Sequence, residues 1–484
     1  MELLKQQEPT VIYLLIMVCT RILDWFVVAI SHTFSTNIFR YPTASIGLIA
    51  SLSIAINSLT GPAMLNLPAT FQRSGLIPTT LCLVFVGVLS ALCSLHMADI
   101  VSKVPNNSKF KLDVGFSGAF ETFWGKQWFY VTHIIYFCCV ACLNISSIVD
   151  TSQVVDTFLG HWTPSGSRAF QFNDTGVHWI RWDPEHCTEE DVLDGTCLAF
   201  AGSDGILLTV GYMLTTLVLL PMALMDLKEN ATWQISGTIV LLVISIQFAV
   251  EFIMKGINID NLSLWGDSWD TLFGVVLFNF ALVIAIPAWL FERHPSVDVP
   301  TVIHNSSGMA ILLYILVGAL GALSIPNVSE NMLESMMSGA FGTSMQLGSS
   351  LFALMIIGLG IPLFSVLMRM NLTGSNICNE ATGNLLAVYF PFSISWLLYQ
   401  GEAVTQLLSW GGVLFTSIVA FILPLLLALH TVLEFDVKGS IQVYFGYFSS
   451  KRSQIIALVV LLGLSVISVM VALLGNLLIG DTTS

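Results

Sequence analysis

Charge is what this sequence has least of: Asp, Glu, Lys and Arg together make up 10% of its 484 residues, against roughly 25% in soluble domains. Only 17 residues are Lys or Arg, too few for a basic stripe, and that excludes a nucleic-acid partner. The sequence lacks a phosphate-cradling glycine loop, a Ser-His-Asp or Cys-His arrangement in recognisable local context, and any metal-ligand spacing of Cys and His. Those absences speak against an enzyme and against a metal or organic cofactor. The opening MELLKQQEPT is not basic and no small-residue cleavage site follows it, so a signal peptide is not expected.

Apolar sequence is what fills the chain, with 55% hydrophobic residues and a mean hydropathy of +0.81. About 20 residues cross a bilayer core as a helix. Runs of that length fall near 45–70, 76–100, 127–150, 205–223, 233–253, 270–291, 306–325, 341–369, 383–399, 403–431 and 454–479. Hydrocarbon offers no partner to unpaired backbone, and the runs are far longer than barrel strands, so helices are required. The expectation is an all-α polytopic membrane protein of about eleven transmembrane helices. Its transmembrane domain covers 45–484, after an N-terminal segment 1–44.

Lys and Arg orient the chain, because short loops that carry them stay on the cytoplasmic side. With the N-terminus inside, Lys5, Arg21, Arg40, Lys103, Lys109, Lys111, Lys126, Lys228, Arg293, Arg369, Lys438, Lys451 and Arg452 fall inside, and Arg73, Arg168, Arg181 and Lys255 fall outside. This split, 13 against 4 of the 17, selects an N-in, C-out topology. Much of the net charge of −14 then sits in a long outside loop at about 151–204, among Asp156, Asp174, Glu189, Glu190 and their neighbours. A solvated luminal cap explains such a loop, and a cation-attracting vestibule is the functional alternative. Cys187 and Cys197 in it suit a disulfide in an oxidising compartment. Asn173, Asn261 and Asn327 head glycosylation patterns in expected outside loops. These features suit the plasma membrane or an endolysosomal or vacuolar membrane, with an organellar inner membrane left open.

Val11 to Ile30 is long enough to cross, yet Arg21 and Asp24 interrupt it, each costing about 2.5–3.5 kcal/mol at a helix centre. An interfacial helix, or one bound to a lateral protein partner, is expected, with an extra span as the alternative. His133 is the best intramembrane candidate for a proton path, against the plainer reading of a satisfied structural histidine.

The most informative stretch is INSLTGPAMLNLPATFQRSG, Ile56 to Gly75. Pro62 and Pro68 cannot donate to the carbonyls four residues back, and Gly61 eases departure from helical geometry. An unwound stretch near 61–67 is expected, of the kind tolerated at membrane depth only where it is buried or lines a cavity.

Asn57, then Gly61, Leu65, Leu67, Pro68 and Gly75, resembles the first-helix pattern of the amino acid/auxin permease family, within the amino acid-polyamine-organocation transporters. LLPMALMDLKENATWQISGTIVLL from Leu219, LFNFALVIAIPAWLFE from Leu277, IGLGIPLFSVLMR from Ile357 and LLSWGGVLFTSIVAFILP to Pro424 are similar to its fourth-to-fifth, sixth, eighth and tenth helices. The resemblance covers most of the chain after residue 45. It implies an inverted five-helix repeat with helices 1 and 6 broken at mid-membrane, a lipid-embedded carrier, and an amino acid substrate, with protons as the coupling candidate. It further implies that Asn57, Gly61, Pro62, Ala63 and Met64 of the first helix, Phe278, Asn279, Phe280 and Ala281 of the sixth, and Tyr136 as a lid bind substrate. Three positions depart from the pattern: Ala63 replaces a second glycine, Leu282 and Val283 replace a Gly-His pair, and Gly358 and Gly360 lack the hydroxyl of sodium-coupled relatives. The expectation is a secondary carrier of neutral amino acids, proton-coupled or uniporting. The alternative is a homologue that no longer transports and serves as an amino-acid sensor or a structural subunit.

Overall fold

The computed structural model describes residues 45–187, 199–200, 203, 205–328, 331–337, 341–374, 377–399, 413–435, 439–444 and 450–482. The expected helix at 11–30, Cys197 and the first part of the tenth run lie outside the described residues.

The first apolar run forms α1 (Leu48–Leu59), a 3-10 turn (Pro62–Asn66) and α2 (Leu67–Ser74). The second forms α3 (Leu76–Lys103). A short α4 (Phe116–Trp124) precedes the long α5 (Lys126–Trp162). The fourth run is a strand followed by α6 (Val210–Ala223), and the fifth is α7 (Leu227–Lys255). The sixth divides into α8 (Leu272–Asn279), a 3-10 turn (Leu282–Ala285) and α9 (Ile286–Glu292). Then come α10 (Val299–Ser324), a short α11 (Met332–Met337) and α12 (Thr343–Phe352), which continues through a π turn into α13 (Gly358–Gly374). The ninth run holds α14 (Glu380–Asn384) and α15 (Phe390–Leu397), the tenth α16 (Val413–Ser417) and α17 (Leu423–Glu434), and the last is α18 (Lys451–Thr482).

Eight helices among the described residues are long and apolar enough to cross a membrane, or nine with the bent pair of the first run. This is an integral, multi-pass membrane protein. The lipid-facing side of α7 shows why its apolar pattern is not one-sided: Ile239, Val243, Val250 and Ile253 point outward while Leu241, Ile244, Phe248 and Phe252 are buried, so both faces favour apolar groups.

One element corrects the loop expected at 151–204. The third helix continues to Trp162, so Asp156 lies inside it rather than in a solvated cap, and Asp150 lies well before its end. Asp156 is fully buried, and its charge is matched by donors from three elements. The Ser167 hydroxyl donates at 2.6 Å, the Gly211 N–H at 2.8 Å and the Tyr399 hydroxyl at 2.6 Å. Gly211 is required here, because a Cβ at that position would lie 2.5 Å from the carboxylate carbon.

Beyond α5 the chain forms β1 (Ser167–Asn173), β2 (Gly176–Trp182) and β3 (Ile206–Thr209), an antiparallel sheet in the order β2-β1-β3. Phe170 pairs with Trp179 across the hairpin, and their rings meet edge to face at 4.3 Å, a pairing that pins the register. Asn173 ends β1 at the hairpin tip, Asn261 ends a 3-10 turn, and Asn327 adopts a positive φ of 46° after α10. Cys187 follows the hairpin and is not a free thiol; its pairing with Cys197 stays a proposal.

The opposite end of the bundle carries most of the Lys and Arg. Lys228 pairs with Glu292 at 2.8 Å, and Arg369 caps the α6 end through the Leu224 carbonyl at 3.0 Å while bonding Asn384 at 3.0 Å. There the first described residues are sewn to the sixth run. The Ile46 N–H donates to the Glu292 carbonyl at 2.9 Å, and the His294 N–H donates to the Ile46 carbonyl at 2.8 Å.

Candidate functional site

The first helix stops where its sequence says it should. Pro62 has no N–H to give, and the chain bends by 53° between Leu48–Leu59 and Met64–Ser74. The break is shorter than the expected 61–67, because residues 62–66 rewind as a 3-10 turn. Gly61 sits at φ −101°, ψ −164°, an extended geometry open to any residue. A Cβ there would meet no described residue within 4 Å, so among the described residues the glycine borders open space beside the break. Met64 is buried, and its N–H reaches the Gly61 carbonyl at 3.2 Å. The backbone of Pro62 and Ala63 lies in the turn.

The sixth run breaks at Phe280 and Ala281, within the expected Phe278–Ala281. Phe280 and Ala281 are buried, as is Asn279, whose side-chain amide donates to the Val275 carbonyl at 2.9 Å. Phe278 is partly buried. Leu282 and Val283 are buried in the turn that follows.

The two breaks face each other through α10. Tyr314, fully buried, directs its hydroxyl at the Leu59 carbonyl of the first break and at the Asn279 carbonyl of the sixth, the latter at 3.1 Å. The Ser90 hydroxyl of α3 donates to the Phe280 carbonyl at 2.8 Å, and the Tyr136 hydroxyl to the Ile284 carbonyl at 2.9 Å. Carbonyls freed by the two breaks are thus met by hydroxyls from three neighbouring helices, as burial demands. Tyr136 lies against the far side of the sixth-run break, stacked on Phe116 at 5.0 Å. In this structure its hydroxyl is held on the turn that follows the break.

Asn57 faces α7 and not the gap between the breaks. Its amide donates to the Gln234 carbonyl at 2.8 Å and side-chain oxygen at 2.7 Å, while Thr238 donates to its oxygen at 3.1 Å. Gln234 in turn donates to Asn230 at 2.7 Å and to the Leu359 carbonyl of α13 at 2.9 Å. A neutral amide network therefore joins the first, fifth and eighth runs. Gly237 makes room for it, since a Cβ there would lie 3.2 Å from the Asn57 amide. His133 is buried, with one ring nitrogen 3.1 Å from the Asn371 amide. The other nitrogen has no partner among the described residues.

Tyr314, Ser90, Gln234 and Thr238 were not singled out from sequence. Tyr314 carried the best signal, a phenol inside the apolar run ILLYILVG, because a buried tyrosine hydroxyl must find an acceptor.

Two apolar runs thus break beside one another, and carbonyls freed at both breaks converge on the Tyr314 hydroxyl. A model of the tryptophan/tyrosine permease family matches residues 44–174, which contain the first break and the third helix. No curated protein matches the chain. Among solved structures the chain is similar to MhsT in complex with L-phenylalanine, a LeuT-fold transporter, with a TM-score of 0.59 and 11% identity over 88% of this chain and 98% of that one. At that identity the likeness establishes the fold.

Proposed function

We propose that this protein is a secondary carrier of amino acids that works by alternating access, and not an enzyme. The reading has eleven crossings, the N-terminus and basic end inside and the sheet outside, with the first ten spans as an inverted five-helix repeat. The observation that carries it is the convergence of the two broken spans on Tyr314, beside space left open at Gly61. The family match over the first break supports an amino acid substrate. Neutral substrates fit best, since Phe280, Ala281, Leu282 and Val283 give the sixth-run break no fixed charge. Aromatic ones are the first to test. The amide network at Asn57 uses protein donors where a cation would otherwise neutralise carbonyls, which favours proton coupling or uniport over sodium coupling.

Uptake of labelled phenylalanine, tyrosine and tryptophan into proteoliposomes holding this protein alone tests the proposal, with and without an inward proton gradient and with sodium absent. Accumulation above empty vesicles supports it. Absence of flux under every gradient, from protein shown to be folded, overturns it in favour of a sensor or structural subunit. One observation favours that second reading: the carbonyls at both breaks already have hydrogen-bond donors.

A further inference from the structure

Asp150 is the acidic side chain in the bundle that the site above leaves unexplained. The run of α5 to Trp162 places it inside the helix, where an ionisable group is costly and calls for a counter-charge or a function. Among the described residues its only hydrogen bond comes from Ser146 on the same helix, at 3.0 Å. Asp156, nearly two turns further on, shows what a purely structural carboxylate looks like here, with three donors from three elements. Asp150 keeps most of a carboxylate's acceptor capacity unused.

That capacity opens on a cavity. Asp150, Gln153, Val154 and Thr157 of α5 form one wall, and Leu333 and Met337 of α11 form the other. Among the described residues no Lys, Arg or His lines it. The 3-10 turn of the first span packs against α11 as well, so this short helix borders both the cavity and the first break. It is about the size of one water, which is also the size of an ammonium head group and too small for a whole amino acid. A carboxylate with amide and hydroxyl neighbours, set in apolar walls, favours a cation that donates several hydrogen bonds and rejects an anion.

We propose that Asp150 and this cavity bind the protonated primary amine of a ligand beside the first-span break. The site rests on the transport reading only in that an amino acid is the natural bearer of such a group.

The test uses full-length protein in detergent and labelled 2-phenylethylamine, a protonated amine without a carboxylate. Saturable binding is expected that weakens by at least about tenfold in Asp150→Asn and is largely retained in Asp150→Glu. 3-Phenylpropionate, which has the ring and a carboxylate but no amine, should not compete. Unchanged affinity in Asp150→Asn overturns the proposal, as does equal displacement by sodium or potassium chloride, which would make this an inorganic cation site. Should Asp150→Asn not fold, Val154→Trp fills the same cavity without touching the carboxylate, and undiminished amine binding in it is equally fatal. Amine binding without flux keeps this site and removes the carrier reading. Flux without Asp150-dependent amine binding does the reverse.

Discussion

At Gly61 the backbone would accept any side chain, yet the position borders space that a side chain would occupy. Size, not strain, is therefore the variable. Gly61→Ala should retain most uptake, while Gly61→Leu should lower it by at least about tenfold with an unchanged thermal midpoint. A loss of stability in Gly61→Leu would show that the space is not there. Tyr314 makes the opposite kind of contribution, since its hydroxyl joins two spans and its ring lies 5.3 Å from Phe280, edge to face. Tyr314→Phe keeps the ring and strands the acceptors, at a cost of about 1–3 kcal/mol, measurable by thermal or denaturant unfolding in detergent. The prolines and Gly61 made the first break legible because they act on their own backbone. Tyr314, Gln234 and Thr238 act on carbonyls hundreds of residues or several helices away, and nothing local in the sequence names those partners.

The elements were legible wherever an apolar run had clear ends. The third helix was not, because Asp150 and Asp156 resemble the polar close of a span. Only tertiary donors from β1, the start of α6 and Tyr399 make a buried Asp156 tolerable. Removing that carboxylate in Asp156→Ala should cost about 1–3 kcal/mol for each donor left without an acceptor. It should also speed proteolysis in the 163–205 segment relative to the rest of the chain; equal rates would mean that Asp156 does not hold the sheet. The hairpin is written in FQFNDTGVHWIRW, which alternates with a period of two and turns at Asn173-Asp-Thr-Gly. At the basic end, Asp113 in the link between α3 and α4 has its carboxyl raised above the usual range by burial first and by Glu292 second. A raised carboxyl favours the folded state while it is protonated, so its contribution is complete at low pH and is lost as pH rises through the folded value. Asp113→Asn should accordingly raise the thermal midpoint near neutral pH, and the gain should shrink as the medium is acidified toward the ordinary carboxylate range.

For the molecule as a whole, the distribution of Lys and Arg and the two chemically different ends point the same way. The basic end gathers Lys228, Arg293 and Arg369 around ion pairs and helix caps, and the other end carries the sheet with exposed Trp179 and Phe170. Single-cysteine reporters at Lys109 and at Thr175 should react with impermeant reagents from opposite sides in sealed, oriented vesicles, Thr175 from outside. Labelling of both from one side would break the topology. The pairing of Ile46 with the end of the sixth run also couples the two broken spans mechanically. The bridge between Ile46 and Arg293 ties the start of the first broken span to the end of the sixth, so a force applied at Ile46 would be felt by both at once.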